Sequence, residues 1–140
     1  MNNNCMKDNC MTKEPMFYLC EKCGNVILKV RDSGMKPYCC GSVMTLLVPE
    51  TREGELGDKH LPVITREGNE LHIQVGSTMH PHTEDHYIEW VCVYTNCGST
   101  FVYPSKKNDP VVTVTLKDGE KVEGVYVFCN IHGLWKGLVH

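Results

Sequence analysis

Hydrophobic and polar residues alternate over two stretches in the second half of the chain. In the first stretch, Leu71, Ile73 and Val75 alternate with His72 and Gln74. A period of two residues places successive side chains on opposite faces of a strand. The second stretch has the same period, with Ile88, Trp90, Cys92 and Tyr94 alternating with Glu89, Val91, Val93 and Thr95. Both stretches are therefore predicted to be half-buried β-strands.

Turn-forming residues recur between these and other β-branched or aromatic runs. They occupy Arg66 to Asn69, Asn96 to Gly98, Lys106 to Pro110 and the pair Asp118–Gly119. This spacing is typical of a β-sandwich, so the fold class is predicted to be all-β. The apolar runs 112–116 and 125–129, on either side of the Asp–Gly pair, predict a hairpin. Only Thr83 to Asp85 is expected to be helical, for one turn at most.

Changes in composition divide the chain into four segments. Residues 1–16 are polar, without apolar periodicity, and are expected to form a flexible N-terminal extension. Residues 17–48 form a cysteine-bearing unit with β-like runs at 25–30 and 43–48. The unit is too small to fold without a cross-link. The charged, glycine-punctuated stretch 49–57 is predicted to be a linker. Residues 58–140 then form the sandwich domain.

Cysteine and histidine are abundant in this short chain. The 140 residues include 9 Cys and 7 His, with a formal net charge of -3. We expect a cytoplasmic protein with no membrane segment, because neither a secretory leader nor an apolar run of about 18 residues is present. Clustered cysteines in a reducing cytosol favour metal sites over disulfides. The absence of a basic patch argues against nucleic-acid binding.

The first group of candidate ligands is a CxxC pair followed by two adjacent cysteines: Cys20, Cys23, Cys39 and Cys40. Four thiolates suit a closed tetrahedral site that holds zinc or a single iron and leaves no position for a substrate. Such a site is structural or transfers electrons. Two disulfides are the less favoured alternative. Zinc ribbons mostly use CxxC twice, so the adjacent pair favours iron.

The second group is spread over the later domain and comprises His60, His80, His86, Cys129 and His132. In the segment CNIH, a thiolate and an imidazole stand three residues apart, so both can reach one metal. Pro62 and Pro81 stiffen the loops that carry His60 and His80. The remaining histidines are not assigned as ligands. His72 lies on a polar strand face, His140 is terminal, and His82 is left outside the ligand set.

At these residues the chain resembles the desulfoferrodoxin family, the two-domain class of superoxide reductase. The four-cysteine unit resembles the desulforedoxin domain of that family. The segments KHLP, HPHTEDHYIEW and CNIHGLWK resemble the motifs of its catalytic domain, in the same order. The resemblance extends from Phe17 to His140 and implies an immunoglobulin-like sandwich, a homodimer and two iron ions per chain. One iron is tetrahedral with four thiolates, and the catalytic iron has four His ligands and an axial Cys129, with one position open.

The resemblance also implies a reaction, the one-electron reduction of superoxide to hydrogen peroxide. Lys59, beside ligand His60, is expected to attract the anion; an ordinary surface lysine is the alternative. Asp58 stands where the family usually has a glutamate that can ligate the oxidised iron, and aspartate is one methylene shorter. The oxidised iron is expected to be re-reduced by a small redox protein such as rubredoxin.

Two other classes of protein are compatible with parts of this pattern. A blue-copper electron-transfer protein uses two His and one Cys, but no Met follows His132 as the usual weak axial ligand. A zinc-stabilised binding module would use the four cysteines structurally and the sandwich for recognition. The second, histidine-rich group of ligands argues against that module.

Overall fold

The computed structural model describes residues 14–105 and 107–137. This part of the chain divides into two compact units, a first unit that ends at Val48 and a second unit that begins at Pro49. Cys5 and Cys10 of the N-terminal extension, Lys106 and His140 lie outside the described residues. Within the described part, no helix is long and apolar enough to cross a bilayer.

The first unit consists of five short strands: β1 (Phe17–Leu19), β2 (Val26–Leu28), β3 (Tyr38–Cys39), β4 (Ser42–Val43) and β5 (Thr45–Leu46). β1 lies between β2 and β5, and β3 pairs with β4, with every pairing antiparallel. Tyr18, Cys20 and Met44 form its small core, against which Met16 and Cys39 pack. A cluster of three buried residues is a very small core, so a further cross-link is needed for stability.

The second unit is a two-sheet sandwich preceded by a short helix. Its elements are α1 (Glu55–His60), β6 (Pro62–Glu67), β7 (Glu70–Val75), β8 (Ile88–Thr95), β9 (Gly98–Val102), β10 (Val111–Thr115), β11 (Val122–Cys129) and β12 (Gly133–Gly137). One sheet has the order β10–β7–β6 and the other β12–β11–β8–β9, all antiparallel. The predicted all-β fold with a small cysteine-rich unit and a sandwich is confirmed.

The core of the sandwich is made of aliphatic side chains from both sheets. They include Leu71, Ile73 and Val75 of β7, Val91 and Val93 of β8, and Val125 and Val127 of β11. The alternation predicted for β7 is therefore correct. The prediction that β8 is half-buried is wrong, because its other face, with Trp90, Cys92 and Tyr94, is buried as well. Strands buried on both faces lose the polar alternation that marks a half-buried strand.

Two local predictions are also wrong. The runs flanking Asp118–Gly119 do not pair as a hairpin, because β10 pairs with β7 while β11 pairs with β8 and β12. The Asp–Gly turn instead carries the chain from one sheet to the other. The helix lies at Glu55–His60, whereas residues 83–85 form a bend.

The strand pairings bring the ends of distant segments together. Pro62 at the start of β6 pairs with Val75 at the end of β7, so the residue before β6 and the loop after β7 are neighbours. In the other sheet, Ile88 at the start of β8 pairs with Cys129 at the end of β11. Each sheet therefore brings two ligand-bearing loops side by side.

Candidate metal centres

The four-cysteine cluster, formed by Cys20, Cys23, Cys39 and Cys40, lies within the first unit. Its four sulfur atoms lie within 4.8 Å of one another. The Sγ atoms of Cys23 and Cys39 are 3.6 Å apart, and those of Cys39 and Cys40 are 3.9 Å apart. All four are free cysteines. Four sulfurs at this spacing are suited to a single tetrahedral ion.

The backbone explains how two adjacent cysteines reach one centre. In an extended strand, successive side chains point to opposite faces. Cys40 escapes this alternation because it follows β3 with a φ of 54°, in the left-handed region that non-glycine residues seldom occupy. Both thiols of the pair therefore face the same centre. Two N–H groups approach the sulfurs: the backbone N–H of Cys23 lies 3.4 Å from Cys20 Sγ, and the Asn25 side-chain amide lies 3.7 Å from Cys39 Sγ.

The sulfurs of this cluster differ in acidity because a backbone N–H stabilises one thiolate, whereas neighbouring thiols favour the protonated form of another. The hydrogen bond from the Cys23 backbone lowers the pKa of Cys20 to about 6. Hydrogen bonds to the neighbouring thiols Cys23, Cys20 and Cys39 raise the pKa of Cys40 to about 12. A cation at the centre removes this competition by favouring all four thiolates at once. The donor set therefore fits a thiophilic ion such as iron or zinc.

The histidine–cysteine cluster, formed by His60, His80, His86, Cys129 and His132, lies within the second unit. Ligand atoms of His60, His86, Cys129 and His132 all lie within 4.8 Å of one another. His80 completes the cluster, since its Nε2 is 3.2 Å from His60 Nε2 and 3.4 Å from Cys129 Sγ. Every residue of the second predicted ligand group is thus brought to one place.

Different elements deliver the donors. His60 is the last residue of α1, and His80 follows β7, beside the start of β6. His86 precedes β8, while Cys129 ends β11 and His132 lies in the tight turn between β11 and β12. In that turn the backbone N–H of His132 donates to Cys129 Sγ at 3.4 Å. Cys129, His60 and His80 are buried, whereas His132 is exposed, so the cluster is open on the His132 side.

Hydrogen bonds fix which nitrogen of two rings faces the centre. His60 Nδ1 is 2.7 Å from the Leu56 carbonyl, and His80 Nδ1 is bonded to the Pro81 carbonyl. Both rings therefore carry the proton on Nδ1 and present the lone pair of Nε2. His86 Nε2 is a buried nitrogen without a hydrogen-bond partner in the described part of the chain. An unpaired buried nitrogen beside a thiol and three imidazoles is the environment that a metal ion would satisfy.

Burial holds three of the imidazoles in the neutral form that binds metals. Burial lowers the pKa of His80 to about 4 and also lowers that of His60. Burial lowers the pKa of His86 too, and the charges of His132 and Lys59 lower it further. Burial raises the pKa of Cys129, so its thiolate needs a positive partner. Four imidazoles, three of them held neutral by burial, and one thiol in need of a cation match non-haem iron chemistry.

Lys59 and Asp58 precede His60 in α1. Lys59 is half-buried, and its ammonium is close enough to lower the pKa of both His60 and His86. Its backbone position depends on Gly76, where a Cβ would lie 2.6 Å from the Lys59 carbonyl oxygen. Asp58 is exposed; its backbone carbonyl accepts a hydrogen bond from the N–H of Thr78 at 2.9 Å. Among the described residues, the Asp58 carboxylate is not one of the donors that come together in the histidine–cysteine cluster.

Two of the described histidines lie outside the cluster, and two other residues contribute unexpectedly. His72 Nδ1 lies 3.2 Å from the Thr113 hydroxyl, and His82 Nδ1 accepts a hydrogen bond from the Ile88 N–H at 3.4 Å. Sequence reasoning did not single out Asn130, which ties two ligand loops together, or Trp135, which contacts two ligands. The only signal was their position within the segment CNIHGLW.

Comparisons with known proteins agree with this geometry. The family model described as Desulfoferrodoxin matches residues 52–138. A desulfoferrodoxin homolog of Archaeoglobus fulgidus is 40% identical over 128 residues, covering 90% of this chain and 98% of that protein. A desulfoferrodoxin of Nitratidesulfovibrio vulgaris is 32% identical, covering 90% and 98%. The crystal structure of the superoxide reductase from Treponema pallidum is similar with a TM-score of 0.77 and 32% identity, covering 90% of this chain and 99% of that chain.

The motif order, the two clusters of metal-binding side chains and these full-length similarities lead to one conclusion: the chain belongs to the desulfoferrodoxin family.

Proposed function

We propose that the protein is a superoxide reductase that converts superoxide to hydrogen peroxide at an iron held by His60, His80, His86, Cys129 and His132. The observation that carries this proposal is the convergence of four imidazoles and one thiol around a single centre. An iron held by these five donors would retain a position for a small ligand. The exposure of His132 gives a small anion access from that side.

The chain's own residues prepare the reaction in two ways. An iron held by these residues would supply the single electron that reduces superoxide to the peroxide level, and water would supply the two protons of hydrogen peroxide. Burial lowers the pKa of His60, His80 and His86, which keeps their imidazoles available for binding at neutral pH. As a thiolate, Cys129 would donate electron density toward a bound iron, which would favour oxidation of the ferrous form.

Lys59 is proposed to attract superoxide and stabilise negative charge beside the centre. Its ammonium acts on the pKa of His60 and His86, so the charge is close to two of the donors. A cation on a half-buried side chain is less screened by water than one on a fully exposed side chain. Coulombic attraction raises the capture rate of a small anion more than it changes the metal ligands.

Asp58 is proposed to cap the oxidised centre through its carboxylate. It is exposed and precedes Lys59 in the same helical turn, so movement of this turn is required to bring the carboxylate to the metal. Asp58→Glu lengthens the side chain by one methylene and is expected to strengthen capping. Asp58→Asn removes the charge and is expected to abolish it. The absorption spectrum of the ferric protein distinguishes these outcomes.

The four-cysteine cluster is proposed to hold a second iron that has a structural or electron-transfer role. An external donor, a small redox protein such as rubredoxin, is proposed to re-reduce the oxidised catalytic iron after each turnover. The protein is proposed to act in the cytoplasm, without nucleic-acid or membrane partners. A net charge of -3 supports the expectation that nucleic acid is not a partner.

A homodimer is proposed on the basis of the first unit's surface. This unit exposes large hydrophobic side chains, among them Val30 at 92%, Met35 at 72%, Tyr38 at 69% and Val48 at 80%. So many apolar side chains on so small a unit mark an interaction surface. Sedimentation equilibrium of the iron-loaded protein tests the dimer. Replacing Val30 and Tyr38 by lysine is expected to shift it to monomer, whereas Val63→Lys in the second unit is not.

Rapid anaerobic mixing of the reduced, iron-loaded protein with superoxide tests the reaction. One hydrogen peroxide per superoxide, with no dioxygen, supports the reductase. Dioxygen release would indicate dismutation, and an unreactive centre would favour pure electron transfer or binding. Cys129→Ser provides the matched control, because it keeps the four imidazoles and removes the thiolate.

A further inference from the structure

Trp135 contacts one ligand of the histidine–cysteine cluster through the face of its ring. It lies in β12 and is 1% exposed. Its indole stacks on the His60 imidazole, with ring centroids 4.6 Å apart and an interplanar angle of 12°. A nearly parallel contact at this distance restricts rotation of both rings. The hydrogen bond from His60 Nδ1 to Leu56 fixes one edge of the imidazole, and the indole restrains its plane.

The same side chain contacts a second ligand through its polar edge. The indole N–H of Trp135 donates to the backbone carbonyl of His132 at 3.1 Å. The N–H of His132 in turn donates to Cys129 Sγ. Trp135 therefore reaches the turn that carries both the thiol and the most exposed imidazole of the cluster.

Trp135 is itself held on both sides. β11 pairs with β12 through Val127 opposite Trp135. Along the other side, Glu50 forms a bridge to Trp135, with its N–H donating to the Leu134 carbonyl at 2.8 Å and its carbonyl accepting from the Lys136 N–H at 3.0 Å. The indole is thus attached to a backbone that cannot shift independently of the sheet.

We propose that Trp135 is a positioning residue for the metal centre, which sets the plane of the His60 ring and the conformation of the Cys129–His132 turn. This inference rests on the metal-binding part of the proposed function and not on the reaction with superoxide. Groups that orient metal ligands typically change metal affinity about 10- to 100-fold when they are removed. A change in the His60 plane and in the hydrogen bonding around the thiolate also changes the electronic structure of the bound metal.

Two variants of Trp135 separate its two contacts. Trp135→Phe keeps an aromatic ring against His60 and removes the N–H donor, whereas Trp135→Leu removes both contacts. The same replacements of Trp90 are matched controls, because Trp90 lies in β8 of the same sheet, is 9% exposed and stacks on Phe128 at 5.3 Å. Unfolding temperature of the metal-free variants reports the loss of packing alone.

The readouts are the release of ferrous iron to a chelator, the thiolate-to-iron charge-transfer band and the reduction potential of the centre. We expect Trp135→Leu to release iron about 10- to 100-fold faster, with a shifted band and potential. Trp135→Phe should show the band shift with a smaller change in release, and both Trp90 variants should leave all three unchanged. If the variants at Trp135 and Trp90 lower the unfolding temperature alike and leave band, potential and release unchanged, Trp135 is only a core residue and the proposal is wrong. All three readouts need only bound iron. If the wild-type protein failed to reduce superoxide, the proposed reaction would be refuted, but this test of Trp135 would still be valid.

Discussion

The side-chain carbonyl of Asn130 accepts a hydrogen bond from the backbone N–H of Tyr87 at 2.9 Å. The side-chain amide of Asn130 donates to the Asp85 carbonyl at 2.9 Å, and its backbone N–H donates to the Tyr87 carbonyl at 3.1 Å. Asn130 lies in the turn of Cys129, and Tyr87 follows His86. One residue thus fastens the loop of one ligand to the turn of another, in a part of the chain where strand pairing has ended.

Asn130→Ala is expected to loosen this fastening. It removes two side-chain hydrogen bonds and takes away the partner of the partly buried Tyr87 N–H, whereas the exposed Asp85 carbonyl can bond to water instead. The free energy of unfolding should fall by about 1–3 kcal/mol. The distance between His86 and the Cys129 turn is then no longer fixed, so ferrous iron should be released faster. Chelator competition and urea unfolding measure the two effects. Asn130→Asp keeps the acceptor for Tyr87 and loses the donor to Asp85, so its effect should be intermediate; equal iron release in all three proteins would contradict the assigned role.

Lys59→Ala is expected to slow the capture of superoxide by roughly tenfold at low salt. The ferric absorption spectrum should change little, because an ammonium group has no lone pair with which to bind the iron. The measurement is stopped-flow oxidation of the reduced centre at several ionic strengths, since the difference between wild type and variant should shrink as salt increases. Lys117→Ala removes the same charge from an exposed site and serves as the control. A capture rate in Lys59→Ala equal to that of Lys117→Ala would make Lys59 an ordinary surface residue.

The stability of the metal-free protein is expected to fall as the pH decreases from about 6.5 to 4. Burial lowers the pKa of His80 from 6.5 to about 4, so within this window the unfolded chain binds a proton that the folded chain does not. Lowering the pH therefore favours unfolding, by at most about 3 kcal/mol from this residue. Urea unfolding across the window gives the slope. His80→Gln should flatten it in part, and an unchanged slope would mean that His80 takes up its proton as readily in the folded chain.

Asn25→Ala is expected to lower the reduction potential of the iron in the four-cysteine cluster. The side-chain amide of Asn25 lies 3.7 Å from Cys39 Sγ and draws electron density from that sulfur. N–H groups near sulfur ligands stabilise the reduced, more electron-rich form, so their removal favours the oxidised form. Redox titration of the iron-loaded protein measures the change. The histidine–cysteine cluster is the internal control, because its potential should not move; an unaltered potential at the first iron would show that the Asn25 contact does not tune it.

The features that could be predicted from sequence are those that depend on the pattern of neighbouring residues along the chain. The alternation of Leu71, Ile73 and Val75 predicted β7 correctly, because that strand has one polar and one apolar face. The strand β12 was not predicted, since it consists of five residues bounded by two glycines, and β9 begins with exposed residues that have no apolar period. A short strand receives its stability from its neighbours, and this information is not local.

The hairpin prediction failed for a related reason. Asp118–Gly119 specifies a turn, but the partner of each flanking strand is decided by which sheet can bury its apolar face. The candidate site shows the same division. CxxC and CNIH are local motifs and could be recognised, whereas the contact between Trp135 and His60 depends on α1 lying against β12, which only the assembled sandwich provides.

The order of the donors along the chain has a consequence for how the protein acquires metal. The donors of the first cluster are complete at Cys40, and those of the second only at His132. At typical rates of synthesis, the intervening stretch of roughly 90 residues takes on the order of ten seconds to emerge from the ribosome. During this interval only the first cluster has all its donors and can bind metal ions of the cell. Soft sulfur donors accept zinc as well as iron. The metal content of the first cluster should therefore reflect the ions available while the chain is being made, whereas the second cluster is filled after its synthesis.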